Sequence, residues 1–199
     1  MLEDLIVELD PPPKRRAKCV GEKERHLTEA AVMLAYGMHL LETVPGLTTV
    51  ELHPDGEHAK RFEIVRWLYA RGFVLKESRG TTAYGGTYMH DHRVIRITSI
   101  PGKGDVVAKA ENATIIAECK GGIVNTNHAG QISRLRKGLC EAVGLLMATP
   151  KTGRQVAVVP RTDTTLRLAQ RLAPRARDTG IEIALVDEFG RVVDVSPRQ

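Results

Sequence analysis

The sequence predicts an α/β fold, a central mixed β-sheet with helices on its faces, and three observations carry that reading. Apolar runs of strand length recur at 105–109, 113–120, 155–159 and 181–186. Helical patterns, with apolar residues three and four apart, separate the last three of these runs. Only a turn at Glu111-Asn112 separates the first two, so they suit a hairpin. The strand–helix–strand units near the C-terminus should be parallel, right-handed crossovers.

The elements follow in order. Pro11-Pro12-Pro13-Lys14-Arg15-Arg16 is a stiff basic arm, suited to phosphate or simply solvated. Residues 24–42 read as a helix, with Leu27, Ala31, Leu34, Met38 and Leu41 at helical spacing, stopped by Val44-Pro45-Gly46. Met33, Met38, Leu40 and Leu41 give it a broad apolar surface, fit for a dimer or for packing on its own chain. His26 and Glu29 on this helix could share a metal, although isolated surface polar residues are the plainer account. A second helix at 59–71 buries Ile64, Val65 and Leu68 and stops at Arg71-Gly72-Phe73, which leads into a strand at 73–75. The glycine-, threonine- and tyrosine-rich segment 80–88 ends in a strand that pairs with Arg93–Ile97 around Asp91-His92. His90 and His92 flank Asp91, and exposed turn histidines suit this pattern better than a chelate.

After the loop 99–104 come the strands 105–109 and 113–120, then a helix at 128–148 carrying Ile132, Leu135, Leu139, Val143 and Leu146. Residues 155–159 form a buried strand. Asp163 caps a helix that reaches about Arg177, with a break near Pro174. Residues 181–186 are the last core strand and 192–195 an edge strand. This divides the chain into an N-terminal arm with a helical extension at 1–58 and an α/β body at 59–199.

Composition bounds the function. A chain of 199 residues, 42% hydrophobic, fits one ordinary domain, and 4% aromatics makes its core aliphatic. A net charge of +5 permits nucleic-acid binding without diagnosing it. Cys19, Cys119 and Cys140 form no Cys-x-x-Cys pair, which argues against a cysteine zinc site and for free thiols in a reducing compartment. No apolar run approaches ~20 residues, so no membrane span is expected. The start, Met1-Leu2-Glu3-Asp4, lacks a signal-peptide pattern, and a cytoplasmic protein is expected.

The chemistry concentrates at Asp105, Glu118 and Lys120. Asp105 starts one apolar strand and Glu118 ends the next, so pairing brings both acids to the same end of the sheet. Glu118 and Lys120, two apart on a strand, share a face. Two carboxylates suit Mg2+, which binds oxygen and retains water, and a metal-bound water of lowered pKa attacks a phosphodiester. Lys120 would orient that water or offset transition-state charge. The Cys119 thiol points to the opposite face as core filler, while its backbone carbonyl is within reach of a metal at this strand end. The plain alternative is an ordinary surface ion pair. A strand apolar on both sides is nevertheless a costly place for charge.

These residues resemble the active-site core of the PD-(D/E)xK nuclease superfamily, the restriction-endonuclease-like fold. The helix Phe62-Glu63-Ile64-Val65-Arg66-Trp67-Leu68-Tyr69-Ala70-Arg71-Gly72-Phe73 is similar to the first helix of archaeal Holliday-junction resolvases. The resemblance covers 59–187 by order of elements, and its motif residues are Glu63, Asp105, Glu118, Lys120 and, weakly, Gln131. It implies a Mg2+-dependent DNA endonuclease of restriction, repair or junction-resolving type, with Mn2+ as a substitute and a homodimer in the junction-resolving case. It also implies that Glu63 is a third active-site acid and auxiliary metal ligand. Gln131 would orient Lys120 or the attacking water, and Arg134, Arg136 and Lys137 would meet phosphate. In this topology the segment 78–92 enters near the site, offering Ser78, Arg79, Thr81 and Thr82 to phosphate and Tyr84 and Tyr88 to bases. The chain departs from the family at Gly104, where a proline is usual. A non-catalytic nucleic-acid-binding subunit that retains the nuclease fold is the alternative. A nucleotide-binding α/β protein is a third reading, but Gly121-Gly122 lacks a phosphate-loop fingerprint.

Overall fold

The computed structural model describes residues 6–9, 23–54, 62–100, 102, 104–111 and 113–195. In chain order the elements begin with β1 (Ile6–Leu9), β2 (Glu24–Leu27), α1 (Glu29–Thr43), β3 (Thr49–Leu52), α2 (Ile64–Tyr69), β4 (Val74–Ser78), β5 (Gly86–His90) and β6 (Arg93–Ile97). They continue with β7 (Val106–Ala110), β8 (Ala113–Cys119), β9 (Gly122–Ile123), α3 (Ala129–Ala148), β10 (Arg154–Pro160), α4 (Asp163–Asp178), β11 (Ile181–Val186) and β12 (Val192–Asp194). The Pro11–Arg16 segment lies outside the described residues.

Nine strands make one mixed sheet in the order β12-β11-β10-β8-β7-β3-β6-β5-β4. β8, β10 and β11 are mutually parallel, joined by α3 and α4. β7 runs antiparallel to both β8 and β3, and β4-β5-β6 is an antiparallel meander. A small second sheet, β1-β2-β9, stands apart from it. This is the α/β architecture that the alternation of patterns predicts.

Side-chain alternation sorts the two faces. Ile115, Ala117 and Cys119 of β8, with Val156, Val158, Ala184 and Val186, pack with α1. Ile116, Ala157, Val159, Ile183 and Leu185 pack with Leu139, Ala142 and Leu146 of α3 and Ala169 and Ala176 of α4. α1 therefore covers one face, joined in the same core by Ile64, Trp67 and Leu68 of α2, while α3 and α4 cover the other.

The N-terminal region differs most from the sequence reading. The helix expected at 24–42 starts at Glu29, because Glu24–Leu27 pairs as a strand with β1 and β9. Thr28 is the N-cap, its hydroxyl accepting from the Ala31 N–H at 3.2 Å. Ala30 through Met38, Leu40 and Leu41 are all buried, as expected of a helix apolar around its whole circumference. The methionines and leucines proposed as a dimer surface are thus consumed inside the chain. Nor do 1–58 and 59–199 separate in the sheet, since β3 stands between β6 and β7. A four-residue strand, TVEL, offered too short a pattern to be read.

Elsewhere the differences are local. The helix expected at 59–71 is described as α2 over 64–69, with 59–61 outside the described residues. α4 runs through Pro174 without a break, with the proline on the solvent side. Its cap is Thr162 rather than Asp163, in a reciprocal box with Thr165. The β5–β6 hairpin forms as expected, with Asp91 at φ 51° in its turn.

Because α1 belongs to the core, Leu34→Ala should lower unfolding free energy by about 2–5 kcal/mol in one cooperative urea transition. A helix appended to an independent body would give a loss below about 1 kcal/mol or a separate early transition.

Candidate active site

The β7–β8 register pairs Val106 with Ala117, and one step beyond, at the same end, stand Asp105 and Glu118. Three hydrogen bonds fix Asp105. Its N–H donates to the Ala117 carbonyl at 2.9 Å, its carbonyl accepts from the His53 N–H at 2.9 Å, and its Oδ2 accepts from the Cys119 N–H at 2.7 Å. The Glu118 carboxyl hydrogen-bonds the Asp105 side chain. Burial first, and then the Asp105 charge, push Glu118 up to about 7, against the pull of Lys120. The two carboxyls thus share a proton near neutrality, as close acidic pairs do.

Lys120 lies just past the strand end, its side chain only 20% exposed, between Glu141 Oε1 at 3.3 Å and Glu29 Oε2 at 3.9 Å. Burial alone would lower its pKa, but Glu29, Glu141 and Asp105 outweigh that and hold it above the ordinary lysine value. Its stem passes over Gly138 of α3, where a Cβ would stand 3.2 Å from Lys120 Cβ. After Lys120 the chain presses on the start of α1. A Cβ on Gly121 would stand 2.5 Å from the Glu29 nitrogen and 2.7 Å from the Leu27 carbonyl, and one on Gly122 would strike Leu135.

Of the residues expected at the site, Asp105, Glu118 and Lys120 meet as foreseen. The Cys119 thiol is fully buried in the core on the α1 face, where burial first, and then the charges of Asp105, Glu29 and Glu118, push its pKa up. Gln131 sits in the first turn of α3, 3.5 Å from Arg134 Nη1, and lines a cleft of about 550 Å³ that also borders Glu29. Glu63 is not brought to them. It is the N-cap residue of α2, its side chain 74% exposed and paired with Arg66 at 3.2 Å. The acid that comes to Lys120 from a helix is Glu29, and a second, Glu141, comes from α3. Glu29 follows an N-capping threonine, a signal that a helix begins there and not earlier. Glu141 had no readable signal, because a glutamate midway along an amphipathic helix is ordinary.

The segment 78–92 also lies elsewhere. β4 and β5 are at the far edge, with β4 four strands from β7 and so about 19 Å away at ordinary strand spacing. Tyr84 and Tyr88 are core residues, and the Tyr88 hydroxyl donates to the Tyr84 carbonyl at 2.9 Å, so neither ring is free to stack on a base. Arg79 is held by Glu77 at 3.0 Å. His90 packs edge-on against Phe73, with ring centroids 5.5 Å apart, and His92 is in the turn.

No family model, curated protein or solved structure matches this chain. The function must be argued from the site itself.

The donor set fits a hard divalent cation. Asp105 and Glu118 would hold it, with the Cys119 carbonyl at the same strand end. Among the described residues no three His, Cys, Asp or Glu side chains gather to hold a metal. Such an ion would therefore keep much of its water, the habit of Mg2+. The proton between the acids is what a cation displaces. Among the described residues no helix is long and apolar enough to cross a membrane.

The shared proton gives a signed pH effect. Folding raises the Glu118 pKa from 4.5 to about 7. The stability this contributes is full below the unfolded value and is lost as pH rises through the folded one. In metal-free buffer, the melting temperature of the wild type should therefore fall between pH 5 and pH 8 relative to that of Glu118→Gln. Parallel melting curves across that window would contradict the shared proton.

Proposed function

We propose that this chain is a Mg2+-dependent endodeoxyribonuclease with a restriction-endonuclease-like core. One observation carries the reading: two carboxyls, Asp105 and the half-buried Glu118, hydrogen-bond each other across adjacent strands, with a lysine two residues on. A structural ion pair gains nothing from two acids face to face, whereas a divalent cation is well served by them. Bound there, Mg2+ or Mn2+ would supply Lewis-acid charge to a phosphodiester oxygen and an acidified water for in-line attack.

The chain's own residues do the rest. Asp105, locked by the Cys119 N–H, presents its carboxylate at a fixed place, and Glu118 loses its proton on engagement. Lys120 is held charged by Glu29 and Glu141, so its role is to offset charge on the pentacovalent phosphorus, and it does not serve as a base. Glu29 and Glu141 position it. Gln131, in the cleft bordered by Glu29, orients Lys120 or the attacking water, and the exposed Arg134, Arg136 and Lys137 on α3 meet the backbone.

The test is pure protein with Mg2+ against supercoiled plasmid, linear duplex, single strand, flap and four-way junction. Cleavage of at least one is expected, with Asp105→Ala and Lys120→Ala each losing on the order of 100-fold or more while circular dichroism is unchanged. Undiminished cutting by both variants would defeat the proposal. Mg2+ binding by calorimetry, lost in Glu118→Ala, together with no cleavage of any substrate, would favour the non-catalytic subunit. The two candidate helix acids separate in the same assay. Glu29→Ala should slow cleavage at least about 10-fold, whereas Glu63→Ala should stay within about 2-fold of wild type.

A further inference from the structure

The cleft beside Lys120 has an apolar floor and two carboxylates in its lining that hydrolysis does not call for. Leu27, Ile123 and Leu135, all buried, form the floor, Glu24, His26 and Glu29 stand above it from β2 and the start of α1, and Gln131 and Arg134 of α3 also line it. We propose that this cleft receives one unpaired base of a DNA strand, next to the phosphate that is cleaved, and that it favours bases with an exocyclic amino group. This rests on the nuclease reading for which phosphate is meant.

Three features lead there. The first is size: about 550 Å³ is the scale of a small-molecule site and will hold a single base, but a stacked base pair cannot enter without leaving its duplex. The second is place. Glu29 is both a wall of the cleft and the partner of Lys120 at 3.9 Å, so the cleft adjoins the reacting group. The nucleotide next to a phosphate at Lys120 would be the one to enter it.

The third is charge. Glu24 and Glu29 repel phosphate from the β2 side of the cleft, while Arg134, an exposed lining residue, and Lys120 beyond it hold the anionic backbone at the rim and the neutral base goes in. Glu24 binds His26 Nε2 through Oε2 at 3.1 Å, and its Oε1 is the acceptor the proposal assigns to the base. A carboxylate accepts and does not donate. It pairs well with the amino group of cytosine. It pairs poorly with thymine, whose single edge N–H lies between two carbonyl oxygens. Specificity would thus reside in the β2 strand, outside the catalytic hairpin.

The experiment measures binding in the absence of chemistry. Lys120→Ala protein is titrated, at one fixed salt concentration, into fluorescent oligodeoxycytidine and oligodeoxythymidine of equal length, and anisotropy is read. If Lys120→Ala melts early, Glu118→Gln protein takes its place. Cytidine should bind at least about 5-fold more tightly, and adding Glu24→Ala should reduce that ratio below about 2-fold with the melting temperature kept. Equal affinities, or a preference that survives Glu24→Ala, would overturn the proposal. Cleavage plays no part in the measurement. A chain that prefers cytidine but cuts nothing would retain the cleft and lose the nuclease reading, and a chain that cuts DNA without preference would do the reverse.

Discussion

The hydrogen bond from the Cys119 N–H to Asp105 Oδ2 is the contact on which the site depends. It ties the last residue of β8 to the residue preceding β7, adding a side-chain lock where the Asp105 N–H already meets the Ala117 carbonyl. The register then leaves no choice, since Val106 opposite Ala117 puts Asp105 opposite Glu118. Everything chemical follows from that meeting. Two acids pressed together in a half-buried place retain a proton, and a retained proton marks where a cation would go. The lysine comes next because the chain leaves the sheet there and passes between two helices that each supply a glutamate.

The surroundings are organised to hold this strand end still. β8 sits in the interior of the sheet, with β7 on one side and β10 on the other. α1 covers one face, while α3 and α4 cover the other. Asp105 is held through its amide and its carboxylate by β8 and through its carbonyl by the residue that follows β3. A site built on neighbouring strands under two helical layers moves less than one built on loops. That rigidity is what oriented hydrolysis requires, because misplacement by about 1 Å can cost two orders of magnitude in rate.

Much of this was legible in the sequence, and the parts that were not share a cause. The 105–120 hairpin, the two crossovers and the meeting of Asp105, Glu118 and Lys120 follow from local patterns: period-two strands, a short turn, helices of ordinary length. β3 was illegible because four residues carry almost no periodicity, and its place beside β7 is a long-range fact. α1 was misjudged for the opposite reason. A helix apolar on every side gives no direction to its packing, and only the sheet decides that it lies at the centre. Glu63 rested on the likeness of its helix to a resolvase helix, while Glu29 suggested only a metal pair with His26, because its neighbour Lys120 is distant in the chain and local spacing cannot show that contact. Tyr84 and Tyr88 looked like base-stacking rings in a flexible segment, but scarce aromatics in an aliphatic chain are drawn to the core.

The glycine pair after Lys120 carries a further consequence. Gly121 and Gly122 have the look of a phosphate-cradling turn, yet they are small because α1 and Leu135 occupy the space a side chain would need. Their constraint is architectural. A random-mutagenesis screen scored by lost activity would rank both glycines beside Asp105 and Glu118 and would attribute to chemistry what belongs to clearance. The two kinds of intolerance differ in temperature: a crowded glycine variant regains function when cooled, while a missing carboxylate stays dead in the cold.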